Sequence, residues 1–319
     1  MNSLELCAGA GGQALGLERA GFEHAALVEW EAPACSTVRL NRPHWNVVEG
    51  DLNQFDGVPF RSVDLVAGGV PCPPFSKAGK QLGASDERDL FPQAVRIVDE
   101  TRPQAVMLEN VRGLLDAVFV DYRLKIAKQL QALGYWTDWH LFNAADFGVC
   151  QLRPRVVFVA IRKDISTHFR WPAPSMKLGP TVGELLHDLM AENGWRGAGA
   201  WRKRANDIAP TLVGGSKKHG GPDLGPTRSR AAWAALGVEG KSLANEAPEA
   251  DFVGMPRLTV RMCARVQGFP DDWQFAGKKT AAYRQIGNAF PPPVAHAVSK
   301  QIAVAIEAGA AQRLMRKVA

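Results

Sequence analysis

The stretch LELCAGAGGQALGLERAG, Leu4 to Gly21, decides the fold: an apolar run, a glycine cluster, and then an apolar pattern of helical period closed by glycine. Gly9, Gly11 and Ala14 fit G-x-G-x-x-G/A, in which a strand turns tightly into a helix whose first N–H groups face a ligand. Working outward, AALVE at 25–29 reads as a second strand. It ends in Glu29, 18 positions after Gly11, near where a carboxylate would meet a ribose. On these residues alone a nicotinamide dinucleotide is the first candidate. Other adenosine-bearing cofactors use the same turn, and a glycine-rich turn without any nucleotide fits it equally.

The pattern continues in the same style. A helix is expected over about 33–41, a short run NVV leads to Asp51, and VDLVAGG at 63–69 reads as a strand. LFPQAVRIVDET reads as a helix, QAVMLE at 104–109 as a buried strand, DYRLKIAKQLQALGY as a helix and RVVFVAI as a strand. That alternation argues for a parallel sheet with crossover helices. Near Trp171 the pattern breaks into Pro, Gly and basic residues, and periodicity resumes around Arg257. Val294, Val298, Ile302 and Ile306 give the last helix one apolar stripe, the mark of core packing.

With 319 residues, 46% of them hydrophobic, the chain can bury a large core as one domain with an appendage or as two. Its five cysteines, at 7, 35, 72, 150 and 263, form no C-x-x-C pair, which argues against a zinc site and a disulfide framework. No metal is expected. No run reaches the length of a membrane span, and the first strand begins near Ser3, so the expected location is the cytoplasm, with no membrane partner.

The net charge of +6 is unevenly placed. Between Arg196 and Arg230 stand eight basic residues, Arg196, Arg202, Lys203, Arg204, Lys217, Lys218, Arg228 and Arg230, against Asp207 and Asp223, which leaves 30 of each sign elsewhere. Eight glycines lie within 194–225, and Trp195 and Trp201 stand among the basic residues. The window reads as irregular, mobile, cationic loops able to neutralise phosphates. An ordinary solvated loop region fits the charge as well.

Three clusters carry candidate chemistry. GGVPCPPFS, Gly68 to Ser76, sets Cys72 just after a strand, where open α/β sheets place their ligand crevice. Pro71, Pro73 and Pro74 stiffen the chain around it and keep it out of a helix, as suits a nucleophile. ENVRG at 109–113 ends another strand, so Glu109 can lie beside Cys72, and a carboxyl in a desolvated crevice can supply a proton. QLRPR at 151–155 places Arg153 and Arg155 two apart, on one face if extended, suited to an anionic or carbonyl oxygen.

Taken in order, the chain resembles the DNA (cytosine-5) methyltransferases of bacterial restriction-modification type along nearly all its length. The matching segments are CAGAGG, EW at 29–30, GDL at 50–52, PCPPFS, ENV, QLRPR, RLTVRMCARVQGFPDDW at 257–273 and YRQIGNAFPPP at 283–293. The resemblance implies a Rossmann-like, S-adenosylmethionine-dependent α/β methyltransferase domain, residues 1–165 plus 276–319. A smaller, irregular target-recognition domain would span 166–275. Leu6, Cys7, Ala8, Gly9, Gly11 and Gly12 would hold S-adenosylmethionine, with Glu29 on the ribose, Trp30 on the adenine, and Asp51 and Leu52 near its amino group and ring. Pro71, Leu90, Asn288 and Ala289 complete that set. Cys72 would be the nucleophile, Glu109 the group acting at N3 of cytosine, and Arg155 with Arg153 the holders of its O2 edge.

Double-stranded DNA is the implied partner, contacted by Ser76, Lys77, Lys80, Arg202, Arg204, Lys217, Lys218, Arg228 and Arg230, and a cognate restriction endonuclease would act separately on the same site. The polar loop 76–88, with Gly79 and Gly83 as hinges, would close over a flipped-out base. Cys7 stands where many relatives place an aromatic residue, Pro73 where glutamine is frequent and Ala289 where serine is common. The tRNA-methylating branch of the fold would lack so large an insert, and a non-catalytic DNA-binding relative would have lost Cys72 or Glu109. A dehydrogenase would need hydride-transfer residues that the sequence lacks.

Overall fold

The computed structural model describes residues 1–71, 89–175, 179–214 and 221–316, with the backbone of 317 and 318. Its central sheet has seven strands: β1 (Asn2–Leu6), β2 (Glu23–Glu29), β3 (Val47–Glu49), β4 (Leu65–Gly68), β5 (Ala105–Val111), β6 (Tyr135–Asn143) and β8 (Pro154–Arg162). Their order is β3-β2-β1-β4-β5-β8-β6. A second, two-stranded ribbon joins β7 (Gln151–Leu152) in parallel to β9 (Ala209–Pro210).

Strands β1 to β5 pair in parallel, as the alternation predicts. β8 then runs antiparallel to both β5 and β6, so the parallel sheet expected from the sequence ends at β5. The strand β6 was not expected. Gly134, in the left-handed region at φ 96°, follows the helix that ends at Ala132, so Tyr135 opens a strand instead of closing a helix. The edge strand β6 is only partly buried and mixes Trp, Asp and His, which hides its period. β8 lies between two strands and is buried from Val156 to Ile161.

Alternate residues of each strand face opposite layers. Leu65, Ala67, Met107, Val157 and Val159 pack with Leu17 of α1 (Gly12–Arg19) and with α10 (Pro292–Val318). Val294, Val298, Ile302 and Ile306 of α10 are the buried stripe the sequence predicts. Leu4, Leu6, Val66, Val106, Leu108 and Phe158 pack with α3 (Phe91–Thr101) and α4 (Val120–Ala132). The strand order reverses between β1 and β4, and such a switch point opens the ligand crevice of doubly wound sheets at the carboxyl ends of the strands.

A third core gathers α5 (Val182–Met190), α6 (Ala198–Arg204), α7 (Thr227–Ala235), α8 (Val260–Gln267) and α9 (Lys279–Asn288) around Trp195, Trp201 and Trp233. Ala14 and Leu15 of α1, Leu27, and Val38 of α2 (Ala32–Asn41) join it. The basic window is thus not irregular throughout, as its composition suggests. Its glycines include Gly197, where an added Cβ would meet the Trp195 ring at 2.7 Å, so this glycine serves packing and not mobility.

Candidate active site

The first half of the site is the turn after β1. Cys7, Gly9 and Gly11 all take left-handed φ (53°, 56° and 81°), and Gly11 caps α1 without a side chain. The curl leaves the Gly9 N–H pointing to Glu29, whose Oε2 accepts it at 2.7 Å, while Oε1 accepts the N–H groups of Trp30 (3.0 Å) and Glu31 (2.8 Å). A carboxylate has about four acceptor positions, so one more donor has room. Burial raises the Glu29 carboxyl above its ordinary range, against the pull of those three N–H groups. Trp30 is 70% exposed at the strand end.

Asp51, exposed, accepts from Asn53, and Leu52 is buried. Asp51 also lines a cavity of about 380 Å³ with Val28, Val48, Phe55 and Phe60. A Cβ on Gly12 would meet Phe290 O at 2.6 Å and Ala289 Cβ at 3.2 Å, which sets the end of α9 directly on the first residue of α1. Leu6 and Ala8 are buried, and Pro71 O accepts the Leu90 N–H at 3.1 Å. Sequence reasoning missed Glu5, wholly buried on β1 under this turn. Burial pushes its carboxyl well up, opposed by a hydrogen bond from the Ala14 backbone and reinforced by the charge of Glu29. An acid inside an apolar run was its only signal.

The second half lies across β4, β5 and β8. Asn110 Nδ2 donates to Val70 O at 2.9 Å, and Glu109 Oε2 would lie 3.4 Å from a Cβ on Gly69. The ENV cluster therefore sits against the backbone that leads into Cys72; Cys72 itself lies outside the described residues. Glu109 Oε1 and Arg155 Nε form a buried ion pair at 2.8 Å. Burial raises the Glu109 carboxyl above the usual range, while Arg155 and then Arg153 pull it down.

Arg153 and Arg155 differ in their contacts. The chain breaks from strand geometry at Arg153, between β7 and β8, and its guanidinium turns to backbone carbonyls: Nη1 donates to Leu212 O (2.8 Å), and Nη2 to Gly287 O (2.6 Å) and Ala289 O (3.1 Å). It is fully buried. Gln151, unassigned by the sequence reading although QLRPR begins with it, accepts the Leu212 N–H at 2.9 Å and donates to Gln267 Oε1 at 2.7 Å. These partners come from far along the chain, so spacing within QLRPR cannot predict them.

The family model for C-5 cytosine-specific DNA methylases matches residues 1–304. The chain is 59% identical over 308 residues to the Type II methyltransferase M.NgoMIV of Neisseria gonorrhoeae, covering 96% of this chain and 98% of that one. It belongs to the C-5 cytosine-specific DNA methylases. A second relative, the Type II methyltransferase M.NaeI of Lentzea aerocolonigenes, is 53% identical over 95% of this chain and 75% of its own. The fold is shared with Spodoptera frugiperda DNMT2, at TM-score 0.66 and 18% identity over 94% of this chain and 99% of that one. The chain is thus a DNA cytosine-5 methyltransferase of restriction-modification type.

In this methyltransferase the residues expected on DNA are only partly described. Ser76, Lys77, Lys80, Lys217 and Lys218 lie outside the described residues, as does the loop 76–88. Arg202 and Arg204 are exposed on α6, but Arg204 Nη2 donates to Ala234 O at 2.9 Å and so ties α6 to the end of α7. Arg228 is exposed in the first turn of α7, and Arg230 packs its Cγ against Gly240.

Proposed function

We propose that this methyltransferase transfers a methyl group from S-adenosylmethionine to carbon 5 of a cytosine flipped out of a specific double-stranded DNA sequence, through a covalent bond between Cys72 and C6. The observation that carries the reading is the buried Glu109–Arg155 pair set against Gly69, three residues before Cys72. The turn at 7–11 fits the cofactor: its N–H groups and the α1 terminus suit the methionine end, Glu29 keeps room for a ribose hydroxyl, and Trp30 offers an exposed ring to adenine. Leu6, Cys7, Ala8, Gly9, Gly11, Gly12, Asp51, Leu52, Pro71, Leu90, Asn288 and Ala289 would complete the binding set.

Cytosine C5 is a poor nucleophile. Addition of the Cys72 thiolate at C6 makes the ring an enamine whose C5 can attack, and the cofactor supplies the electrophilic methyl group. Charge that develops at N3 is met by Glu109, which burial keeps prone to hold a proton, while Arg155 orients Glu109 and faces the O2 edge. Arg153, spent on three carbonyls, supports the site through the backbone and not by touching the base. Loss of the C5 proton and departure of the Cys72 sulfur then restore the aromatic ring and free the thiol. A stacked base cannot reach these groups, so flipping costs a few kcal/mol. Residues 166–275 would read the sequence, with a cognate endonuclease acting separately at the same site.

Bisulfite sequencing of DNA from cells expressing the protein tests the reading. Cytosines protected at one recurring short sequence, and none with Cys72→Ser, are expected. No protection with the wild-type chain, or undiminished protection with the serine variant, would overturn it.

A further inference from the structure

Gly214 belongs to the part of the chain read as target recognition, yet it touches the residue proposed to hold the cofactor. A Cβ on Gly214 would lie 2.5 Å from Asn288 Oδ1, 2.6 Å from Arg284 O and 2.8 Å from Asn288 N. From the other side, a Cβ on Gly287 would lie 2.4 Å from both Cα and N of Gly214. Two backbones meet here at a separation that only a pair of glycines permits. No left-handed φ is involved at either residue, so the requirement is one of space.

The rest of the segment 209–214 is fastened to the strand end that carries Arg155. Ala209 and Pro210 pair with Gln151 and Leu152, Thr211 Oγ1 donates to Leu152 O, and the Leu212 N–H and carbonyl engage Gln151 and Arg153. Arg153 then bridges to Gly287 O and Ala289 O, on either side of Asn288. One residue of chain separates Arg153 from Arg155, whose guanidinium holds Glu109. A displacement of 209–214 therefore moves the proposed cofactor amide and the proposed proton donor together.

We propose that residues 209–214 are a positioning strap, with Gly214 the residue through which the recognition part sets Asn288, so that DNA and cofactor binding report on each other through this contact. The inference rests on the function proposed above. Coupling of this kind is reciprocal and amounts to about five-fold or more in affinity.

The test is the dissociation constant of S-adenosylhomocysteine, measured by calorimetry with and without a short duplex carrying the site that bisulfite mapping identifies. In the wild-type protein the duplex should tighten S-adenosylhomocysteine about five-fold or more. In Gly214→Ala S-adenosylhomocysteine should bind several-fold more weakly alone, and the ratio with and without duplex should fall toward one while duplex affinity holds. Thr211→Val removes one fastening without adding bulk, so it keeps the test open if the alanine variant misfolds, and its ratio should fall by a smaller factor. Gly199→Ala, in open space on α6, should keep the wild-type ratio. A wild-type ratio retained in both Gly214→Ala and Thr211→Val, or a ratio of one in the wild-type protein, would overturn the strap. Failure of the wild-type protein to bind S-adenosylhomocysteine at all would instead overturn the proposed function on which the strap rests.

Discussion

Glu29 and Glu109 are both buried carboxyls on strands of the central sheet, and their partners differ. Glu29 accepts three backbone N–H groups, which orient it toward the turn; Glu109 meets a single guanidinium and the backbone before Cys72. Burial favours the neutral form of Glu109, so it keeps its proton at pH values where an ordinary glutamate has lost it. If that proton serves catalysis, kcat should fall as pH rises through the raised value. Glu109→Gln should lower the plateau by about 10²- to 10⁴-fold and remove that fall, because an amide has no proton to lose. A pH–rate profile of the two proteins measures both, and an unchanged alkaline fall in the glutamine variant would assign it to another group. Cys72 lies outside the described residues; the places of Glu29 and Glu109 on their strands were legible because each is a carboxyl that closes an apolar run. The difference between Arg153 and Arg155 was not, because it depends on carbonyls at 212, 287 and 289 that only folding brings near.

At the scale of elements, the approach of α1 to α10 shows what sequence patterns miss. Gly16 lies inside α1, where an exposed glycine would cost about 0.5 to 1 kcal/mol relative to alanine. Here a Cβ would lie 2.5 Å from Ala295 Cβ, 2.7 Å from His296 N and 2.7 Å from Pro292 O. Two of those atoms are backbone and cannot step aside. Gly16→Ala should therefore destabilise the protein by about 1 to 3 kcal/mol despite the better helix propensity. In urea the midpoint should fall with an unchanged slope; a raised midpoint would show that the helices part freely. The strands β1 and β2 were readable because Leu4 and Leu6, and Ala25 to Val28, give short apolar runs beside the glycine turn, although Ser3 and Glu5 fill the other face of β1. The edge strand β6 was not, since its partly exposed face carries polar and aromatic residues together.

Across the whole molecule the charge excess lies in one window, while the core beneath that window is continuous with the sheet's own helices. Composition showed the charge but not the helices that carry part of it, because buried tryptophans among glycines and arginines mimic a loop. If the window neutralises phosphates, each contact contributes about 0.9 to the slope of log affinity against log salt, so replacing Lys217 and Lys218 together should flatten it by up to about two units. The loss should be alike on all sequences, because phosphate contacts do not read bases. An unchanged slope in salt titrations would make those lysines a solvated surface. The central claim, that Cys72 forms a bond to cytosine C6 during methyl transfer, is tested most directly by a duplex bearing 5-fluorocytosine at the methylated position. Fluorine cannot leave as a proton does, so wild-type protein and S-adenosylmethionine should give a denaturation-resistant protein–DNA complex, with the attachment mapped by mass spectrometry to Cys72. The absence of such a complex, or its full persistence in Cys72→Ser, would contradict the account.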